Sequence, residues 1–336
     1  MSLHCRIPTR NEYICIVVCI QDMKRTSSYN AKPFVKWAGG KAQLLPDIES
    51  RLPKDLFVRT DITYVEPFVG GGAALFFLLQ KFPNIRRAVV NDINARLMTT
   101  YRVIKHQPEE LIRELALLQD EYVPMNHEKR TTMFLEQRRR FNEEELTDVQ
   151  TASLFIFLNR TCFNGLYREN SKGRFNVPHG RYANPLICDR ATILADSEVL
   201  QRVEILCGDY AETLKYAGKD VFFYFDPPYK PLSETSSFNS YVKEVFDDAE
   251  QVRLRDFCNA VSALGSPFIL SNSDVKGKNP DDDFFDDLYA DYTISRVYAN
   301  RMVNVNPEKR GKLTELLITN IADTLTPTDN NWSLAL

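Results

Sequence analysis

Asp226, Pro227, Pro228 and Tyr229 follow directly on the apolar run Val221-Phe222-Phe223-Tyr224-Phe225. The two prolines fix φ and carry no backbone N–H, so the turn keeps its carbonyls and the Asp226 carboxylate as acceptors while offering few donors. The chemical complement is a flat group bearing an amine, such as adenine with its exocyclic N6, with Tyr229 stacked on the ring face. Taken alone, the four residues also read as a strand-to-loop stop, because X-Pro turns often end strands. A second, independent feature has to decide between these readings.

That feature lies near the N-terminal end. Tyr64-Val65-Glu66-Pro67-Phe68-Val69 runs into Gly70-Gly71-Gly72, and Ala88-Val89-Val90-Asn91 ends in Asp92, 20 positions after Gly72. A glycine turn after one strand and an acid ending the next is the spacing that binds a nucleoside, the acid accepting both ribose hydroxyls. Leu75 stands where a dinucleotide site wants a third small residue, so a nucleoside ligand without a pyrophosphate fits better. S-adenosylmethionine is such a ligand, and Glu66 or a nearby backbone carbonyl is suited to its cationic methionine amine. By themselves the glycines equally read as a tight turn.

The elements that must hold these residues alternate strand and helix. A helix start at Ala42 to Arg51, a strand at Tyr64 to Glu66, a helix over Ala73 to Gln80, a strand to Asp92 and a helix over Asn94 to Lys105 predict an open, mostly parallel α/β sheet. From Gln107 to Asp148 the pattern becomes polar helix, with Arg138-Arg139-Arg140 and Glu143-Glu144-Glu145 expected on a solvated face. Ala152 to Leu158 is an apolar helix, and Asn159 to Tyr182 is rich in Gly, Asn, Arg and aromatics. The α/β pattern resumes at Val203 to Asp209 and continues through Val221 to Phe225, Phe268 to Asn272 and Glu315 to Thr319. One sheet domain interrupted by an inserted module fits this order. The acidic run Asp281 to Asp287 reads as a solvated loop.

With 336 residues and a net charge of −3, the chain has ample length for a large core and no global charge that points to nucleic acid. Any such partner must be recognised locally. Cys5, Cys15, Cys19, Cys162, Cys188, Cys207 and Cys258 form no Cys-x-x-Cys pair and have no histidine cluster beside them, which argues for a reducing compartment and against a structural zinc. No metal is expected. The apolar stretch Tyr13 to Ile20 is too short to span a bilayer. It reads as part of an extension ahead of Met23, and a cytoplasmic location is expected.

The chain resembles N6-adenine DNA methyltransferases of the Dam and DpnII type, on motifs in a shared order. These are Phe34-Val35-Lys36-Trp37-Ala38-Gly39-Gly40-Lys41, Glu66 to Gly72, Asn91-Asp92-Ile93-Asn94, Phe163-Asn164-Gly165-Leu166-Tyr167-Arg168, Phe175-Asn176-Val177-Pro178, Gly180-Arg181-Tyr182 and Asp226 to Ser233. The similarity spans roughly Lys32 to Asn320. It implies a Rossmann-like S-adenosylmethionine-dependent methyltransferase sheet with an inserted helical and β-hairpin DNA-recognition domain. The expected division is an N-terminal extension at 1–30, a catalytic domain at 31–105 and 195–322, the recognition insert at 106–194, and a tail at 323–336. The resemblance implies cofactor contacts from Trp37, Lys41, Glu66, Phe68, Gly70, Gly72, Asp92, Asp209 and Asp226. It gives catalysis to Asp226, Pro227, Pro228 and Tyr229. DNA contacts fall to Lys36, Arg160, Phe163, Asn164, Leu166, Arg168, Arg174 and Pro178, with Arg168 at the base-reading position and Phe163 suited to wedging into the gap left by a flipped base. GATC is the implied target, double-stranded DNA the partner, a cognate restriction enzyme a functional companion, and a monomer the expected state. Arg310-Gly311-Lys312 sits at a family-like position without an assigned role.

Between Asn159 and Tyr182, five cations (Arg160, Arg168, Lys172, Arg174 and Arg181) face Glu169 alone, a local excess of +4 that offsets the acidic whole. A hairpin with incidental surface arginines is the competing reading of that segment. Competing chemistries also remain at this point. An N4-cytosine methyltransferase uses the same amine logic, although Asp226 rather than Ser favours adenine by resemblance. RNA or protein-amide enzymes usually carry Asn at that position. A catalytically silent DNA-binding regulator on this fold would be expected to have lost Asp226 or Tyr229. A cytosine-C5 enzyme needs a nucleophilic cysteine in a Pro-Cys setting, which none of the seven has.

Overall fold

Val221–Phe225 forms β4, and its unbroken apolar character follows from burial on both faces of a sheet. The computed structural model describes residues 30–41, 43–57, 59–230, 246–299 and 313–321. The N-terminal extension, Pro231-Leu232-Ser233, Arg310-Gly311-Lys312 and the 323–336 tail lie outside the described residues. β4 runs parallel to β1 (Thr63–Glu66), with Tyr64 opposite Phe222. β2 (Arg87–Val90) and β3 (Val203–Ile205) extend the sheet beyond β1, and β5 (Phe268–Ser273) extends it beyond β4, all parallel. β7 (Leu313–Thr319) is antiparallel to both β5 and β6 (Thr293–Ala299), giving the order β3-β2-β1-β4-β5-β7-β6. Strand order reverses between β1 and β4, so a crevice opens at their carboxyl ends, where ligands bind in doubly wound sheets.

Alternation along the strands feeds two cores. Tyr64, Ala88, Val90, Phe222, Tyr224 and Ile269 face one layer, while Val65, Val89, Phe223, Phe225, Phe268 and Leu270 face the other. The first layer carries α1 (Leu45–Ser50), α2 (Ala73–Lys81), α3 (Ala95–His106) and α7 (Arg190–Leu200), and the second carries α8 (Asp248–Ala263) and α9 (Phe284–Leu288). The polar stretch after Gln107 is two helices rather than one. α4 (Pro108–Tyr122) ends before Asn126, whose side chain caps α5 (His127–Glu143) by accepting from the Lys129 N–H. Arg139 pairs with Glu136, Glu143 and Glu144 on the exposed face, as the charge run predicts. Thr147 and Gln150 then form a capping box that starts α6 (Asp148–Thr161). Residues 152–159 of α6 are all buried, and the helix packs on α3, which seats the inserted segment on the sheet layer.

Two expectations change. The acidic run at 281–287 is not all loop, because Phe285 is fully buried and pulls residues 284–288 into α9. Its acids are paired rather than merely solvated: Lys276 reaches Asp283 and Asp286, and Arg296 lies 2.7 Å from Asp286. The glycine turn, in turn, answers first to the protein itself. Gly72 has φ 78°, and a Cβ there would lie 2.5 Å from the Tyr101 hydroxyl, which donates to the Gly70 carbonyl at 3.0 Å. At Gly70 (φ 48°) a Cβ would meet the Trp37 ring at 2.7 Å.

Gly72→Ala is therefore expected to cost roughly 2 kcal/mol or more, from left-handed strain plus displacement of Tyr101. The check is a lowered urea midpoint at unchanged slope.

Candidate active site

The loop after β4 is held from several sides. Asp226 Oδ1 accepts from Ser271 Oγ at 3.0 Å and pairs with Lys41 Nζ at 2.9 Å. Gln251 donates to the Pro228 carbonyl at 3.4 Å and accepts from Asn272 at 3.0 Å. Ser273 donates to the Lys230 carbonyl at 2.9 Å, and the Tyr229 hydroxyl donates to Glu315 Oε2 at 2.7 Å. Among the described residues no hydrogen bond reaches the Pro227 carbonyl. Thus the Pro228 carbonyl is engaged by Gln251, and the Asp226 carboxylate is held by Ser271 and Lys41. Burial pushes the Asp226 carboxyl up, and the Lys41 ammonium opposes it. Burial, then the nearby Asp226 and Glu315 charges, push the Tyr229 phenol well up, so it stays a donor.

Lys41 is not the solvated lysine that a loop position suggests. It is 5% exposed, donates to the Gly39 carbonyl at 2.6 Å, and sits 4.1 Å from the centre of the Tyr229 ring. The structure places it at Asp226 rather than beside Asp92.

At the ends of β2 and β3 a second group assembles. Asp92 accepts from the Gly70 N–H at 3.1 Å through one oxygen and from the Asn94 N–H at 2.9 Å through the other, which fixes the carboxylate and leaves lone pairs free. Burial pushes its pKa up, and these N–H groups oppose it. Asn94 also caps α3. Phe68 lies against Tyr210 (4.9 Å) and Phe246 (6.0 Å), making an aromatic wall next to Asp92 and Asp209. Burial would push Asp209 up, but Arg253, bidentate at 2.7 and 2.9 Å, and the Ala211 N–H hold it below the usual range. Asn91 ties the two strand ends together, donating to the carbonyls of Pro67 (3.1 Å) and Gly208 (2.9 Å). Sequence reasoning missed Arg253 and the cross-link through Asn91. Glu66 is buried and accepts from the Tyr64 hydroxyl at 2.8 Å; burial pushes its pKa well up, and that hydrogen bond opposes the rise.

The inserted segment ends beside this crevice. Trp37 stacks on Tyr167 (5.6 Å) and Phe155 (6.3 Å) and covers Gly70, so one indole touches the insert and the glycine turn. Phe163, Asn164, Leu166, Pro178 and Lys36 are exposed; Phe163 donates its N–H to the Pro178 carbonyl at 2.8 Å. Asn159 was missed. It is buried, accepts from the Lys36 N–H, and donates to the carbonyls of Lys36 and Gly165, clamping the first motif to the turn that follows α6. A polar residue ending the apolar run Ala152 to Leu158 was the available signal. Arg168 donates from Nε to Asn176 Oδ1 at 2.8 Å, which orients its guanidinium. Arg174 is exposed and pairs with Glu143 at 3.1 Å.

Arg160 does not join this surface. It is half-buried against the first layer, donates to the Phe34 carbonyl at 2.8 Å, and its Nε has no partner among the described residues. Burial pulls its pKa down, opposed by Asp189 and Asp196. The expectation of a DNA contact from Arg160 is corrected to an anchor for the first motif, because its position on α6 points it into packed structure.

A doubly wound sheet with a final antiparallel strand, a buried acid after β2 and an acceptor loop at the strand-order reversal is consistent with a Rossmann-like methyltransferase. The sequence profile of the D12 class N6 adenine-specific DNA methyltransferases matches residues 37–303, and the chain belongs to that family. It is 46% identical over 292 residues to the Type II methyltransferase M.MjaIII of Methanocaldococcus jannaschii, covering 86% of this chain and 99% of that protein. It is 38% identical to the Type II methyltransferase M1.LlaDCHI of Lactococcus lactis subsp. cremoris (89% and 99% covered) and 35% identical to a DNA adenine methylase of Vibrio cholerae (85% and 95%). The protein is an adenine-specific DNA methyltransferase, which acts on DNA with a methyl donor. No helix among the described residues is long and apolar enough to cross a membrane.

The surroundings of Arg160 generate a pH prediction. Asp196 is fully buried, accepts from the Lys32 N–H through one oxygen and has no partner at the other; burial pushes its pKa up to about 8, with Asp189 adding to the rise and Lys32 and Arg160 opposing. The folded state thus binds the proton more tightly than the unfolded chain, and stability contributed at low pH is lost as pH rises toward 8. Asp196→Asn is expected to remove that loss, up to about 1.4 kcal/mol per pH unit in the steepest part. Urea unfolding of both proteins from pH 5 to pH 8 checks it, the wild type declining relative to the variant.

Proposed function

We propose that this protein transfers a methyl group from S-adenosylmethionine to N6 of an adenine flipped out of duplex DNA, within GATC, in a restriction-modification or Dam-like role. The observation that carries the reading is the Lys41 ammonium: the site already holds an N–H donor on Asp226 at 2.9 Å and against the Tyr229 ring at 4.1 Å. A flipped adenine would offer the same loop an amino group and a stacking face.

The residues present fit the donor. Asp92 would accept from its ribose hydroxyls, Phe68, Tyr210 and Phe246 would flank its adenine, and Asp209 lies at the same wall. When bound, the sulfonium supplies an electrophilic methyl group. Asp226 and the Pro227 carbonyl would take the two N6 hydrogens, opposing delocalisation of the nitrogen lone pair into the ring and orienting it for in-line attack. The amine entering at Asp226 has to share that carboxylate with Lys41 or displace it.

For DNA, the exposed set Lys36, Phe163, Asn164, Leu166 and Pro178 supports a duplex-facing surface, with Phe163, 52% exposed, as the wedge. Arg168, with Nε already engaged by Asn176, keeps both Nη groups for the O6 and N7 of a guanine, and GATC follows from the resemblance of that hairpin. Lys172 and Arg181 would neutralise phosphates, while Arg174 is paired with Glu143. A monomer working beside a cognate restriction enzyme completes the reading.

The test is exposure of GATC-containing DNA to the protein and donor, followed by digestion with nucleases that differ only in tolerance of the methylated site, and by sequencing of methylated bases. Unmethylated DNA with donor-bound protein would rule the proposal out. Asp226→Ala is expected to lower turnover by about 10²-fold or more while much of the DNA affinity remains. Arg168→Ala is expected to relax discrimination at one guanine by about 1–3 kcal/mol, read as methylation of near-cognate sites.

A further inference from the structure

We infer that Glu315 is a positioning residue for the reaction: it sets the orientation of the Tyr229 ring from a strand that none of the site motifs includes. The inference rests on reading Asp226 to Tyr229 as the site of the target base. Pro227 and Pro228 fix the backbone ahead of Tyr229 but leave its two side-chain torsions open. The ring has one polar handle, the hydroxyl, and that hydroxyl donates to Glu315 Oε2 at 2.7 Å. An ionised carboxylate acceptor makes such a bond roughly twice as strong as a neutral one.

Glu315 is itself fixed by the sheet. It lies on β7 in register with Ser273 of β5 on one side and Val297 of β6 on the other. Ser273 donates to the carbonyl of Lys230, the residue after Tyr229, at 2.9 Å. One strand pair therefore grips the tyrosine at its hydroxyl and at the following peptide. The ring face meets the Lys41 ammonium that Asp226 also binds, so a rotation of the phenol changes the distance between the aromatic floor and the acceptor that must act together. Burial and the adjoining carboxylates keep the phenol protonated, which preserves its donor role.

The experiment measures single-turnover methylation of a GATC duplex at saturating S-adenosylmethionine, and KM for that donor, in full-length wild type, Glu315→Ala, Glu315→Gln, Tyr229→Phe and the Tyr229→Phe/Glu315→Ala double variant. Glu315→Ala is expected to lower the rate constant by about 10–100-fold with KM changed by less than about threefold, since the loss is one of alignment rather than donor binding. Glu315→Gln, which keeps an acceptor for the phenol, is expected to recover to within about fivefold of wild type, and the double variant to fall no further than Tyr229→Phe by more than about twofold. A wild-type rate in Glu315→Ala, equal damage in the Gln and Ala variants, or losses that multiply in the double variant would overturn the inference. Wild-type protein that methylates no adenine N6 would overturn the reading beneath it, and the inference with it.

Discussion

The site is organised around one ion pair at the end of a strand buried on both faces. Asp226 follows Phe225, which is fully buried, so its charge sits where desolvation is costly unless a counter-charge and hydrogen bonds are supplied. Lys41 supplies the charge and Ser271 a hydroxyl. The two loops that carry the pair come from the chain's first and second halves, and pairing fixes them relative to each other. Removing one partner of such a pair leaves an uncompensated charge, typically a loss of about 3–5 kcal/mol when burial is deep and less here, where the Asp226 side chain is 21% exposed. The same two partners oppose the upward push that burial gives the Asp226 pKa.

The second organising contact is the indole of Trp37. It lies over Gly70 and stacks on Tyr167 and Phe155, while Asn159 clamps the neighbouring Lys36 backbone to Gly165, in the turn that follows α6. Arg96, on the helix that follows Asp92, lies 4.2 Å from the centre of the Phe141 ring and 3.8 Å from Glu169, whose partner is the Tyr167 hydroxyl. The Asp92 end of the crevice and the segment that carries Arg168 are thus joined by packed rings and paired charges, and neither is a free-standing module.

How much of this was legible follows from the range of each interaction. β4 and its Asp-Pro-Pro-Tyr ending were readable because burial on both faces writes a continuous apolar run and proline writes its own stop. β1, β2, β5 and the helices α1, α2 and α3 were readable from local alternation, whereas α7 was not. Lys41 with Asp226, Glu315 with Tyr229 and Arg253 with Asp209 were not, since each joins residues far apart along the chain and no spacing rule connects them. Arg160 was misread because a charge beside other charges suggests a surface, whereas its helix is apolar on nearly every side. The acidic run hid α9 because its composition outweighed the two phenylalanines, 284 and 285, that needed burial.

Placing the recognition segment between β2 and β3 has an electrostatic consequence. A net charge of −3 would repel DNA from most approaches, and phosphate attraction has to be concentrated on the few exposed cations of the insert. Two charges are withdrawn from that surface by pairing or burial, Arg174 with Glu143 and Arg160 against Phe34. Of the cations named in the proposed interface, Lys36, Lys172 and Arg181 remain exposed, so the counter-ion contribution to affinity would be modest and shallow in its salt dependence. Under that constraint, discrimination has to come from contacts with fixed geometry. Arg168 held by Asn176, Phe163 held by the Pro178 carbonyl, and Tyr229 held by Glu315 are each anchored by a hydrogen bond within the protein. On the proposed reading, weak steering combined with such prearranged contacts would favour selection of a site over tight binding to any duplex.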